Sequence, residues 1–261
     1  MSIIGKVESL WRYPVKSMRG EELDEAFAGY SGIYGDRAFA FKSSANHKGF
    51  PYFTARDQRK LLQYRPRFRY PDKAARPINL VEAESKGANP LLANLAELAV
   101  DVETPDGDNL AIDEPALIDM LRADIDPKHT LTLMQSQRAM TDCRPVSILS
   151  LQSVQQLAEE TGVRVDKRRF RANIYVDLTS AEGFAENELV GRSMRIGSKA
   201  IIAILERDSR CVIITLDPDT GEQTPVILKK VAQAHEGMAG VYGAVLAEGI
   251  MQKGDPVELL D

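Results

Sequence analysis

The feature that most constrains this chain is how soon its extended runs end in turn formers. In LAVDVETPDGDNLAID, residues 98–113, apolar and polar residues alternate on both sides of Pro105-Asp106-Gly107-Asp108, which predicts a β-hairpin. The opening IIGKVESLWRYPV alternates more loosely and stops at Pro14, so it reads as a strand. EELDEAFAGYSGIYGDRAFAFKSS, starting at Glu21, reads as two strands around the glycine-rich stretch from Gly29 to Gly35. PINLVEAE, residues 77–84, reads as a further short strand. EPALIDMLRAD places Leu117, Ile118 and Leu121 at helical spacing and predicts a short helix.

A second block begins near residue 128. TLTLMQS is strand-like, and VSILSLQSVQQLAEETG runs from a strand into a helix with Ser150 as N-cap and Gly162 as stop. RANIYVDL returns as a strand, and the stretch from Leu189 to Gly221 is mostly extended, with turns at Gly191 and Gly197. PVILKKVAQAHEG carries Val226, Ile227, Val231 and Ala234 at helical spacing; GVYGAVLAEG and DPVELL close as strands. Helices are few, and the βαβ alternation of an open parallel sheet is missing. The expected fold is mainly β with a few helices, in two barrel-rich parts, residues 1–120 and 121–261, with a soft boundary near 115–130.

With 261 residues the chain buries a sizeable core, and 44% hydrophobic with 27% charged residues describes an ordinary globular protein. A net charge of −5 argues against nucleic acid as a partner, because a polyanion is repelled on average. Cys143 and Cys211 form no disulfide framework and no CxxC pair, which suits a reducing cytoplasm. No signal-peptide pattern opens the chain, and no run approaches the roughly 20 apolar residues of a membrane span. The expectation is a cytoplasmic protein that does not insert in a membrane; oligomeric state is not legible.

The chemistry concentrates in a few places. RDSRCVIITLDPDTGE sets Cys211 between a basic stretch and the turn Asp217-Pro218-Asp219-Thr220-Gly221, with Val212-Ile213-Ile214 reading as a buried strand. Residues alone leave Cys211 open as packed thiol, nucleophile or metal ligand. Three basic clusters stand at turn-like sites: Lys16-Ser17 in YPVKSMRG, Asp36-Arg37 in YGDRAFAF, and Arg168, Arg169 and Arg171 leading to Asn173 in RRFRANI. An ammonium beside a hydroxyl, or an Arg fork, suits phosphate, and an Asn amide suits a heterocycle edge. The same residues also read as solvated charges or a defended strand edge. Ser150 reads first as a cap, although a helix N-terminus also attracts anions. The histidines are His47, His129 and His235, none near Cys211 in sequence; HExxH, GxSxG and Walker A patterns are absent. Glu159-Glu160 reads as solvated helix face, GVYG as a flexible turn.

Taken together, YPVKS, YGDRAFAF, FTAR, FRANI, SRCVIITLDPDTG and GDPVELL resemble the MOSC family, in its two-part form with an N-terminal β-barrel domain before the MOSC β-barrel domain. The likeness runs from Ile4 to Leu260 and extends to the amidoxime-reducing molybdoenzymes. It implies a molybdenum cofactor, molybdopterin, with Cys211 as metal ligand. It also implies Lys16 and Ser17 at the cofactor's phosphate end, Arg37 as a further cofactor contact, and Arg171 and Asn173 on the pterin. Ser150 matches a cofactor-contacting Ser less closely, and Thr54 and Arg56 match a motif with a looser role. Cys143 matches none.

The residue reading agrees: a soft thiolate suits a soft metal, and Arg207 and Arg210 favour the thiolate form. Departures are Ile214 where the family has Thr and Ser209 where it often has Pro; a cysteine-rich C-terminal extension and an N-terminal anchor are not expected. The implied activity is reduction of small N-oxygenated substrates, such as hydroxylamines, amidoximes and N-hydroxylated bases, with electrons from a separate donor protein. Two rivals stand beside it: a non-catalytic cofactor or sulfur carrier, and a metal-free protein with a redox thiol and a nucleotide site.

Overall fold

A computed structural model describes residues 2–46, 49–123 and 125–260 and divides them into two compact units. His47 lies outside the described residues. One unit combines residues 2–12, 21–33 and 141–260; the other combines Tyr13–Gly20 with Tyr34–Met140.

The first unit is a closed barrel of seven strands. They are β1 (Ser2–Arg12), β2 (Val146–Ser150), β3 (Ile174–Leu178), β4 (Ser193–Ile196), β5 (Ala200–Ser209), β6 (Met238–Ala247) and β7 (Pro256–Leu260). The order around the barrel is β3-β2-β6-β5-β4-β7-β1, and β1 pairs back onto β3. Closure removes the open edges of a sheet. Period-two alternation points Val7, Ile148, Val176, Ile202, Val241 and Val257 into one buried core.

Among the described residues only β2 and β3 pair in parallel within this barrel, and helix α1 (Leu151–Thr161) crosses between them. This single βαβ unit stands in an otherwise antiparallel barrel, so the alternation of an open parallel sheet is indeed missing. The local sequence explains the helix: the Ser150 hydroxyl accepts from the Ser153 amide, and Gly162 ends the helix at φ 68°. Helix α2 (Pro225–Ala234) packs with α1 outside the barrel, where Val154, Leu157, Ile227 and Val231 share a second core with Leu149 and Tyr175.

In the second unit the predicted hairpin forms between Val100–Glu103 and Asn109–Ala111, with Arg65–Phe68 on its other side. Leu131–Gln135, Phe39–Ser43 and Tyr52–Phe53 make a second small sheet. The helix Pro115–Arg122 buries Leu117 and Leu121 as its spacing predicts. The molecule is therefore mainly β with a few helices.

Other expectations are corrected. Leu80–Lys86 is a helix, because Leu80 and Ala83 bury on one face, Lys86 pairs with Glu82, and Gly87 caps the end at φ 62°. The run from Glu21 to Ser43 breaks into four short strands instead of two. GVYG lies inside β6, not in a turn. Val212–Thr215 is a 3-10 turn despite its β-branched residues. Ile214 buries against α2 and the Thr215 hydroxyl donates to the Val212 carbonyl at 2.7 Å, so tertiary packing overrides strand propensity.

Candidate functional site

Cys211 follows the end of β5 and begins the 3-10 turn in an extended conformation, half-buried and outside any disulfide. Among the described residues no three His, Cys, Asp or Glu side chains gather as a metal site. A metal at Cys211 would therefore find a soft sulfur but no ready-made cage of protein ligands among the described residues. A metal carried on a dithiolene suits such a place, so the donor set fits the expected cofactor.

The turn after Cys211 is tied to the RRFRANI segment. Arg168 makes a forked pair with Asp219, at 2.7 and 3.1 Å, and also contacts Asp166. Buried Arg169 donates to the Thr215 carbonyl at 2.7 Å and reaches Asp217 at 3.2 Å. Burial raises the pKa of the Asp166 carboxyl, but hydrogen bonds from Arg168 outweigh it and leave that group below its ordinary value. These two arginines bracket the DPDTG turn and do not lie on an exposed strand edge. The segment then turns through Arg171, which sits left-handed at φ 54°.

Arg210 closes the arrangement from the other side. Its guanidinium donates to the Phe170 and Ala239 carbonyls at 2.8 and 2.7 Å and lies 2.8 Å from the Asp208 carboxylate. Burial pushes the Asp208 carboxyl up, opposed by Arg210 and by the Ser147 hydroxyl, which donates at 2.9 Å. Arg207 instead pairs with Glu236 at 2.7 Å. Each of the two arginines beside Cys211 in sequence thus has a carboxylate partner. The Ser147 carbonyl also receives the backbone amide of Asn173, and the Asn173 side chain bridges Ser147 on β2 and Trp11 on β1. Arg210, next to Cys211 in sequence, thus contacts the residue before Arg171 directly and reaches Asn173 through Asp208 and Ser147.

Ser150 is in the same unit but is engaged elsewhere. Its hydroxyl donates to the buried Glu186 carboxylate at 2.7 Å, and Ser153 adds contacts at 2.7 and 2.8 Å. The anion at the start of α1 is the chain's own.

In the second unit Lys16, Ser17 and Arg37 come together. The Lys16 amide donates to the Phe39 carbonyl, and the Arg37 amide to the Tyr13 carbonyl. Lys16 is buried, donates its ammonium to the Met140 carbonyl at 2.8 Å and lies 4.6 Å from the Tyr52 ring centre. Arg37 pairs with Asp36 at 2.5 Å and stacks over Tyr13. Thr54 accepts the Arg56 amide, and the Arg56 guanidinium lies over Phe50. Ser17 and Arg37 are left-handed, at φ 66° and 44°. Three of the six such non-glycine positions among the described residues are therefore site candidates, and strained backbone of this kind concentrates at functional sites.

Sequence reasoning missed Asp208 and Ser147. A carboxylate in a strand otherwise rich in Ile and Ala was the legible signal for the first. An open cavity of about 680 Å³ lies on the barrel unit, along Trp11, Leu151, Val154, Ala158 and Arg164; of the candidate residues only Arg168 is among those that line it, and Cys211 is not.

The MOSC domain model matches residues 135–258, and the MOSC N-terminal beta barrel domain model matches residues 4–114. Mitochondrial amidoxime reducing component 2 of Macaca fascicularis is 26% identical over 291 aligned positions, covering 97% of this chain and 83% of the relative. The protein of the same name from Bos taurus is 33% identical over 138 positions, covering 46% and 38%. The crystal structure of the YuaD protein from Bacillus subtilis is 16% identical, with 98% and 96% coverage and a TM-score of 0.49.

Proposed function

Because the chain belongs to the MOSC family in its two-domain form, we propose that it binds a molybdenum cofactor and reduces N-oxygenated compounds. The substrates in this reading are hydroxylamines, amidoximes or N-hydroxylated bases, and the electrons come from a separate donor protein. Two electrons and two protons turn an N–OH group into N–H and water. The likeness to amidoxime reducing components across nearly the whole chain supports the reaction class.

The observation that carries the reading is Cys211: one half-buried thiol at a strand end, in a turn pinned by three arginines. When bound, the cofactor supplies the two-electron redox chemistry, and the protein supplies its place and surroundings. In this reading Cys211 is the metal ligand, Arg171 and Asn173 hold the pterin, and Lys16, Ser17 and Arg37 hold the phosphate end. Ser150 contributes by anchoring Glu186 at the start of α1.

The test is molybdenum and pterin content of protein from a cofactor-competent host, with turnover of an N-hydroxylated base by a chemical reductant. Cys211→Ser should lower both by at least about tenfold, as loss of a ligand does. Full turnover by that variant would remove the ligand assignment. Wild-type protein that holds molybdenum and pterin yet reduces no substrate would favour the carrier reading.

A further inference from the structure

We propose that Arg210 is a positioning residue for Cys211, with Asp208 as its counter-ion, and that the pair fixes where the thiol stands relative to the Arg171 turn. The proposal deepens the function above and rests on it only for what the thiol binds. Arg210 immediately precedes Cys211, and its side chain is only 7% exposed. Its side-chain nitrogens reach two other segments and its own: Nε donates to the Ala239 carbonyl on β6, Nη1 donates to the Phe170 carbonyl just before Arg171, and Nη2 forms an ion pair with Asp208 two residues back. Its amide adds a fourth tie, to the Gly237 carbonyl at 2.8 Å. Only a planar fork makes these contacts together; a lysine offers a single point charge.

The surroundings are shaped for this guanidinium. Gly240 has φ 81°, and a Cβ there would stand 3.1 Å from Arg210 Nη2 and 2.6 Å from the Ile148 carbonyl. Asp208 is steadied by Ser147, whose amide and carbonyl both bond to Asn173. The Arg210 contacts therefore join the thiol's own turn to the segments carrying Arg171 and Asn173. Arg207, on the same strand as Asp208, pairs instead with the exposed Glu236, which makes it a suitable control.

Two measurements decide the matter: amide hydrogen exchange of cofactor-free protein, and molybdenum retained per chain after expression in a cofactor-competent host. Arg210→Lys should exchange about tenfold faster over residues 209–216 and 168–172, with α1 unchanged, and should retain several-fold less molybdenum. Asp208→Asn should move the same peptides by less, and Arg207→Lys should move none of them. Unchanged exchange in a folded Arg210→Lys protein overturns the proposal, as does faster exchange with wild-type molybdenum retention. If Arg210→Lys does not fold, Asp208→Asn carries the same two readings. Wild-type protein that takes up no molybdenum sinks the cofactor reading instead, and the exchange comparison still decides the clamp.

Discussion

Three of the candidate residues, Ser17, Arg37 and Arg171, hold a left-handed backbone. Lys16, Arg37, Arg171 and Cys211 stood out as charges or a thiol at turns, but nothing in their identity shows that Ser17, Arg37 and Arg171 adopt positive φ. L-residues pay roughly 1–2 kcal/mol for that conformation, so a function-neutral position would favour glycine. Ser17 allows the idea to be tested, because its substitution separates backbone from hydroxyl. Ser17→Gly should leave stability unchanged or raise it by about 1 kcal/mol, while Ser17→Val should lower it by about 1–3 kcal/mol. If the hydroxyl also holds the cofactor's phosphate end, Ser17→Gly protein will melt no earlier in denaturant yet retain less molybdenum. Equal retention would leave Ser17 with a purely conformational role.

At the scale of elements, local signals were read correctly where they were local. The hairpin around Pro105–Asp108 and the Ser150-to-Gly162 helix each carry their own start and stop, and both form as expected. The Val212–Thr215 turn failed because its partners lie far off in sequence: Arg169 takes its carbonyl, and α2 takes Ile214. Glu186 is a similar case, arriving at the start of α1 from 36 residues beyond Ser150. It accepts from both Ser150 and Ser153 while fully buried, so the helix start depends on a charge that no local capping pattern reveals. Glu186→Ala leaves these hydroxyls without their acceptor and should cost about 2–4 kcal/mol. Chemical denaturation measures that cost. A loss below about 0.5 kcal/mol, typical of surface changes, would show that the helix start does not rely on this carboxylate.

Across the molecule, the least legible fact is which strands meet. The alternation in residues 2–12 announces a strand, but besides the nearby Glu21–Leu23 its partners are the distant Ile174–Leu178 and Pro256–Leu260. The N-terminal strand is therefore the stave that closes the barrel bearing Cys211. Gly5 lies at this seam, paired with Leu178 on one side and Val257 on the other. A Cβ on Gly5 would come 2.3 Å from the Asp177 carbonyl and 3.0 Å from the Leu178 Cα, both backbone atoms that have no rotamer with which to yield. Gly5→Ala should push β1 away from β3 and lower stability by about 1–3 kcal/mol, as overpacking does. Opening the seam also exposes two unpaired edges, so the variant should aggregate on heating before the wild type does. Ile3→Ala on the same strand is the control, since Ile3 is 65% exposed and its loss should matter by no more than about 0.5 kcal/mol. Denaturant melts and light scattering on the three proteins decide the question. If Gly5→Ala melts and scatters like the wild type, closure by β1 is not what holds the barrel shut.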